Sequence, residues 1–245
     1  MQPQLAWQGS LFDGGPAEVD LTFAGLRRIE LDESSWVDYC PGWLRGSDQL
    51  FAELLAQGQW RQHELWMYER KVREPRLTAG WRLPDGEQAV RTWTRHVHED
   101  QEEGRADAEA ASTPAALRRI TAMLSDRYGV GLDSVWVNLY RDGRDSVAWH
   151  GDRNAKVLTN PLVVTVSLGA RRKFLLRVKG TTKAVHRLDP GCGDLVVMGG
   201  ACQHDWEHCV PKTARAVGPR MSVTIRHSKP ASGDPVGRAS AGEVA

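Results

Sequence analysis

The sequence predicts an α+β fold, a double-stranded β-helix (jelly-roll) core with helices packed on its outside. Two observations carry that expectation. From Ser134 onward the chain changes to short apolar strands punctuated by Gly, Pro and Asp. Near the C-terminus, Arg220–Arg226 alternates strictly. Arg220, Ser222, Thr224 and Arg226 share one face, while Met221, Val223 and Ile225 share the other. The apolar face must pack against the body, so the polar face meets either water or a lined cavity. A strand run ending on a cavity suits a jelly-roll.

The elements follow in order. Residues 1–18 are polar and contain Gly and Pro, which predicts a flexible N-terminus. Ser47 stands where it could cap a helix running to about Gln57. Gly, Pro and Asp between Gly80 and Gly86 mark turns, and the acidic, Ala-rich stretch 98–112 reads as a loop or surface insertion. Thr113-Pro114 opens a second helix, with Pro at its first position and Gly129 just past its end. Leu117, Ile120, Leu124 and Tyr128 form its apolar stripe. Val135–Tyr140 alternates as a strand, with Val135, Val137 and Leu139 opposite Trp136, Asn138 and Tyr140. Pro161–Leu168 and Lys173–Val178 read as strands paired around Gly169, and Asp194–Met198 as a buried strand. Residues 228–245 predict a disordered tail, leaving one domain over 19–227.

Composition narrows the class. A chain of 245 residues can bury a sizeable core, and its net charge of +1 supports no global charge argument. Cys40, Cys192, Cys202 and Cys209 form no CxxC pair, so they read as reduced thiols of a cytoplasmic protein. No apolar run is long enough to span a membrane. Charge is nevertheless uneven: Trp136–Pro190 holds 11 Lys or Arg against 4 Asp. Its segment Arg171, Arg172, Lys173, Arg177, Lys179, Lys183 and Arg187 reads either as a phosphate-contacting surface or as a solvated hairpin face.

The chemistry concentrates in His150-Gly151-Asp152, His208, Arg220 and Arg226. Two neutral imidazoles and one carboxylate can take one face of an octahedral Fe(II), leaving positions for substrate and oxygen. Two later arginines on one strand face can clamp a dicarboxylate. Together they point to Fe(II)/2-oxoglutarate-dependent oxygenase chemistry. Blander readings stand beside this one: a turn histidine, a capping acid, surface salt bridges worth little each. His204 competes with His208, since the two at i, i+4 on a helix could bind zinc. His63, His96, His98, His186 and His227 read as surface or loop residues.

At these positions the sequence resembles the AlkB family of Fe(II)/2-oxoglutarate-dependent nucleic-acid dealkylases, from about Trp60 to Arg226. The motifs are Asn138-Leu-Tyr-Arg-Asp-Gly, Trp149-His-Gly-Asp152, Val166-Ser-Leu-Gly-Ala170, Asp205-Trp-Glu-His-Cys-Val-Pro-Lys212 and Pro219–Arg226. The resemblance implies that His150, Asp152 and His208 hold iron, and that Asn138, Tyr140, Arg220 and Arg226 hold 2-oxoglutarate. It implies an N-terminal substrate lid at Pro75–Ala79, with Arg76, Trp81, Asn154 and Arg177 toward the substrate. The expected activity is O2-dependent dealkylation of bases such as 1-methyladenine and 3-methylcytosine in DNA, releasing formaldehyde and succinate. The expected partner is alkylated DNA, single-stranded or with the base flipped out, bound by a monomer with no membrane role. RNA dealkylation, protein hydroxylation and a non-catalytic jelly-roll nucleic-acid-binding module are the rivals. Two positions depart from the family pattern: Ser222 stands where Asn is usual, and Asn154 where an acid favours cationic bases. Replacing Asp152 by Ala removes a ligand and no core volume, so the fold is expected to survive it.

Overall fold

The computed structural model describes positions 3, 5 and 9 and residues 15–67, 70–83, 113–152 and 158–228. The acidic stretch 98–112, Asn154, His96, His98 and the tail from 229 lie outside the described residues. The first half holds β1 (Glu18–Val19), β2 (Arg27–Glu30), β3 (Ser35–Cys40), β4 (Leu44–Arg45), α1 (Ser47–Gln57), β5 (Glu64–Met67), β6 (Arg70–Arg73) and β7 (Leu77–Arg82). Then follow α2 (Ala115–Tyr128), β8 (Ser134–Tyr140), β9 (Val147–His150), β10 (Val163–Gly169), β11 (Phe174–Val178) and β12 (His186–Leu188). The chain closes with β13 (Leu195–Gly200), α3 (Cys202–Asp205), β14 (Trp206–Val210) and β15 (Arg220–Arg226).

Two antiparallel sheets form a jelly-roll. The larger has the order β2-β3-β13-β10-β15-β8-β7, the smaller β12-β11-β14-β9. Because side chains alternate across a strand, each strand of the larger sheet divides its residues between two environments. Val135, Val137 and Leu139 of β8, Val164, Val166 and Leu168 of β10, and Met221, Val223 and Ile225 of β15 face outward. There they join Leu50, Phe51 and Leu54 of α1 and Leu117, Ile120 and Leu124 of α2 in one cluster. Burying each such aliphatic side chain is worth roughly 1.5–3 kcal/mol. The inner apolar layer between the sheets is smaller, with Val163, Val196 and Met198 meeting Phe174, Leu176 and Trp206. The remaining inward positions are polar, and the site is built on them.

Several expectations change. Pro161–Leu168 and Lys173–Val178 are not partners: β10 lies between β13 and β15, and β11 between β12 and β14. A strand has two hydrogen-bonding edges, and both edges of β10 are taken. After Gly169, at φ 78°, the chain therefore crosses to the other sheet. Ser47 is not a cap. Gly46 precedes the helix in the left-handed region, and the Ser47 hydroxyl lies 2.9 Å from the Cys192 thiol. Pro114 sits one residue before α2 rather than inside it, while Gly129 ends that helix at φ 65° as expected. Gly80 is a strand residue, not a turn. A Cβ there would come within 3.2 Å of the Trp136 indole, so glycine admits that ring. All four cysteines are free, and no described helix is long and apolar enough to cross a membrane.

Candidate active site

His150 ends β9, and His208 lies directly opposite it on β14. Their ring centroids are 4.3 Å apart. Asp152 follows two residues later, and the ligand atoms of all three lie within 4.8 Å of one another. Gly151 makes that approach possible, since a Cβ there would meet the Gln203 carbonyl at 2.6 Å. The buried Gln203 then fixes the turn, its Oε1 accepting the Asp152 N–H at 2.8 Å. Nδ1 of His150 lies 2.8 Å from the Ala148 carbonyl. Donation there leaves Nε2 with its lone pair toward the centre. Phe174 stacks on His208 at 5.2 Å and walls one side.

The electrostatics suit a divalent cation. Burial, then the neighbouring His150, push the His208 imidazole down to about 3 against the pull of Asp152, so it is a neutral donor. Burial raises the Asp152 carboxyl, but Arg226 and the two imidazoles outweigh it and hold the group below its ordinary value. Arg226 Nη2 donates to Asp152 Oδ1 at 2.5 Å, while Oδ2 is buried without a partner among the described residues. One oxygen is thus tied down and the other is available for a metal.

Next to this centre a row of polar side chains runs across one strand pair. In the β8–β15 register Tyr140 stands opposite Arg220, Asn138 opposite Ser222, Trp136 opposite Thr224 and Ser134 opposite Arg226. Arg220 is 1 % exposed. Its Nη2 donates to Ser167 at 2.9 Å and its guanidinium carbon lies 5.4 Å from the Tyr140 ring centre. Nε and Nη1 have no partner among the described residues. Burial lowers this guanidinium to about 10, although Tyr140 opposes the shift. A buried cation with two unmet donors fits a carboxylate. Both the donor set and this orphaned cation therefore fit Fe(II) with 2-oxoglutarate.

A cavity of about 450 Å³ contains the His150, Asp152 and His208 cluster and reaches Tyr140, while the buried Arg220 does not line it. The larger sheet contributes Asn138, Tyr140, Thr165, Ser222, Thr224 and Arg226, and the smaller Trp149, His150, Phe174, His208 and Val210. The sequence-predicted substrate residues divide. Arg76 lines the cavity, with Nε donating to Asn138 Oδ1 at 3.2 Å and Nη2 to Glu74 at 2.9 Å. Trp81 does not: it is 3 % exposed in the outer core, edge-on to Trp60 at 6.4 Å. On β7 the odd positions Ala79 and Trp81 face the core and Thr78 faces the cavity, so a base cannot stack on Trp81. Arg177 lies 4.3 Å over the Trp149 ring and is ion-paired with Glu207 at 2.7 Å.

The basic segment is also not one free surface. Arg172 is buried and donates to the carbonyls of Asp142, Asp145 and Pro211, leaving Arg171, Lys173, Lys179, Lys183 and Arg187 exposed. His204 is no rival ligand. Its short helix ends at Asp205 and its Nε2 lies 3.0 Å from the Leu158 carbonyl. His227, expected at the surface, is 1 % exposed and accepts the Leu162 N–H at 2.9 Å. His63 lines the cavity. Sequence reasoning missed Gln203, Glu74 and Trp136. Only Trp136 carried a signal, sharing a strand face with Asn138 and Tyr140.

Comparison with known proteins agrees with this geometry. Residues 37–226 match the model of the 2OG-Fe(II) oxygenase superfamily. The alpha-ketoglutarate-dependent dioxygenase alkB homolog 3 of Bos taurus is 29 % identical over 222 residues, covering 86 % of this chain and 70 % of that protein. The chain belongs to the 2OG-Fe(II) oxygenase superfamily, in its AlkB family. The DNA oxidative demethylase ALKBH2 of Arabidopsis thaliana is 34 % identical over 120 residues, covering 40 % of this chain and 38 % of that protein. The solved structure of OsALKBH1 shares the fold, with a TM-score of 0.53 at 15 % identity over 81 % of this chain and all of that one. As an AlkB-family dioxygenase, the protein uses Fe(II), 2-oxoglutarate and O2.

Proposed function

We propose that this AlkB-family protein removes alkyl groups from N-alkylated bases in DNA by oxidative dealkylation, with residues 19–227 as its catalytic unit. The observation that carries the reading is the cavity itself: its floor is the His150, Asp152, His208 and Arg226 set, and its rim is a cationic hairpin. That hairpin, β5–β6, exposes Arg70 and Lys71, and Arg73 at its base lines the cavity while ion-paired with Glu64 at 3.1 Å. Trp66, paired across from Lys71, is 67 % exposed. An exposed indole among cations is the pattern of a strand-tracking, base-stacking surface. The Arabidopsis relative's name is that of a DNA oxidative demethylase.

When bound, Fe(II) would supply the oxidative chemistry with O2 as oxidant, one oxygen atom ending in succinate as 2-oxoglutarate loses carbon dioxide and the other on the N-alkyl carbon. The chain's own residues do the rest. His150, Asp152 and His208 hold the metal. Arg220, deep between the sheets, takes one carboxylate, with Tyr140 beside it. Asn138 and Arg226, which line the cavity, would also hold the cosubstrate. Phe174 and Val210 exclude water from the centre. Trp136 and Trp149 form the cavity walls that would receive a flipped or unpaired base, an extrusion costing a few kcal/mol. The segment Pro75–Ala79, whose last three residues open β7, is the substrate lid, with the β5–β6 hairpin before it. The hydroxymethyl product then breaks down to formaldehyde and the unmodified base.

The test is incubation with Fe(II), 2-oxoglutarate and oxygen and single-stranded DNA carrying 1-methyladenine or 3-methylcytosine, following succinate, formaldehyde and oligonucleotide mass together. Loss of the methyl mass with matching succinate is expected. Succinate coupled only to methylated RNA or to a peptide would move the substrate class. Absence of succinate with every substrate would overturn the reading.

A further inference from the structure

We propose that Glu74 selects a positively charged alkylated base in this cavity, an assignment that rests on the base-dealkylation reading above. Adenine alkylated at N1 and cytosine alkylated at N3 carry a positive charge near neutral pH, so discrimination in their favour needs an anion facing the base. Among the described residues lining the cavity there are two carboxylates, Asp152 and Glu74. Asp152 is committed to the metal centre and to Arg226. Glu74 is not. It sits at the corner between β6 and β7, with its side chain 13 % exposed.

The corner is held firmly. The Glu74 N–H donates to the His63 carbonyl at 2.8 Å, and its own carbonyl accepts from Gln62 Nε2 at 2.8 Å. Its Oε1 accepts from Arg76 Nη2 at 2.9 Å, and Arg76 is in turn tied through Nε to Asn138. The pair is therefore a fixed dipole. Its positive end lies at Asn138, beside the cosubstrate position, and its negative end at Glu74. Oε2 accepts no hydrogen bond among the described residues. A cation entering the cavity meets that carboxylate where water is partly excluded, which strengthens the attraction.

A purely structural role makes a different forecast. If Glu74 only orients Arg76, its loss should damage turnover of every lesion equally through the cosubstrate. The experiment therefore compares kcat/KM on two single-stranded oligonucleotides differing at one base, cationic 3-methylcytosine or neutral 3-methylthymine, for the wild-type protein and Glu74→Gln. The same oligonucleotides are titrated into protein loaded with Mn(II) and 2-oxoglutarate without turnover. The ratio of the two kcat/KM values is expected to fall about tenfold, equivalent to about 1.4 kcal/mol. Affinity for the 3-methylcytosine strand should fall more than that for the 3-methylthymine strand. An equal loss on both lesions, or an unchanged ratio, would overturn the assignment while leaving the dealkylase reading standing. A wild-type protein active on neither lesion would overturn both.

Discussion

Replacing Arg220 by Met should make the cosubstrate-free protein more stable while ending its response to 2-oxoglutarate. Arg220 is almost fully buried, and burial lowers its guanidinium from 12.5 to about 10. A difference of that size corresponds to about 3 kcal/mol against the charged form. The group would escape it only as pH rises between those two values, so at neutral pH the whole cost is present. Against it stands the hydrogen bond to Ser167, worth about 1 kcal/mol; the pull of Tyr140 is already contained in the lowered value. Methionine fills similar volume without a charge, so the net gain is about 2 kcal/mol. For a chain of this size that is a rise of about 4–8 °C in Tm. In the wild type, 2-oxoglutarate at a hundred times its Kd should add about 2.7 kcal/mol by linkage, and in the variant close to nothing. The assay is urea and thermal unfolding of Mn(II)-loaded protein, with and without 2-oxoglutarate. A variant less stable than the wild type without cosubstrate, or still stabilised by it, would refute the idea that this cation is held in the core for a carboxylate.

Four further outcomes follow from the cavity and its rim. Asp152→Ala should abolish succinate formation and lower stability by about 3 kcal/mol, because Arg226 then loses its buried partner. The fold is still expected to survive, at a lower urea midpoint, and an unchanged midpoint would contradict the predicted loss. Since Arg226 and the imidazoles hold the Asp152 carboxyl below 3.8, its contribution is complete above that pH. It drains away as acid takes the carboxyl through its lowered value, and Asp152→Asn should flatten that acid limb. His208 acts in the same direction on acidification: its folded value of about 3 also lies below the ordinary 6.5. Metal-free protein should therefore lose stability as pH falls from 6.5, a slope that His208→Gln should reduce and that equal slopes in both proteins would disprove. Trp66→Ala should weaken single-stranded DNA binding by about 1–3 kcal/mol if a base stacks there; unaltered affinity in a filter-binding or anisotropy titration would remove it from the interface.

The His150, Asp152 and His208 cluster and the polar face of β15 were legible in the sequence because strand periodicity is local. Alternation of two along Arg220–Arg226 already separated four polar side chains from three apolar ones, and the fold placed the apolar set against α1 and α2 as that pattern requires. His150-Gly151-Asp152 was equally readable, since the strand end and its turn lie within three residues. What distance along the chain conceals was decided by the tertiary structure. The side of β7 that Trp81 occupies depends on which of its faces the helices cover, and they cover the one carrying Ala79 and Trp81. That β10 and β11 part company follows from both edges of β10 already being taken by β13 and β15. Gln203 reaches Asp152 across 51 positions, and Glu74 enters the cavity only because β7 pairs with β8. The sequence by itself determined the chemistry the chain can perform, because ligand type and strand alternation are written in neighbouring residues. The structure alone decided which charges are buried, paired or left facing the cavity, because burial is set by elements that meet only when both sheets have closed.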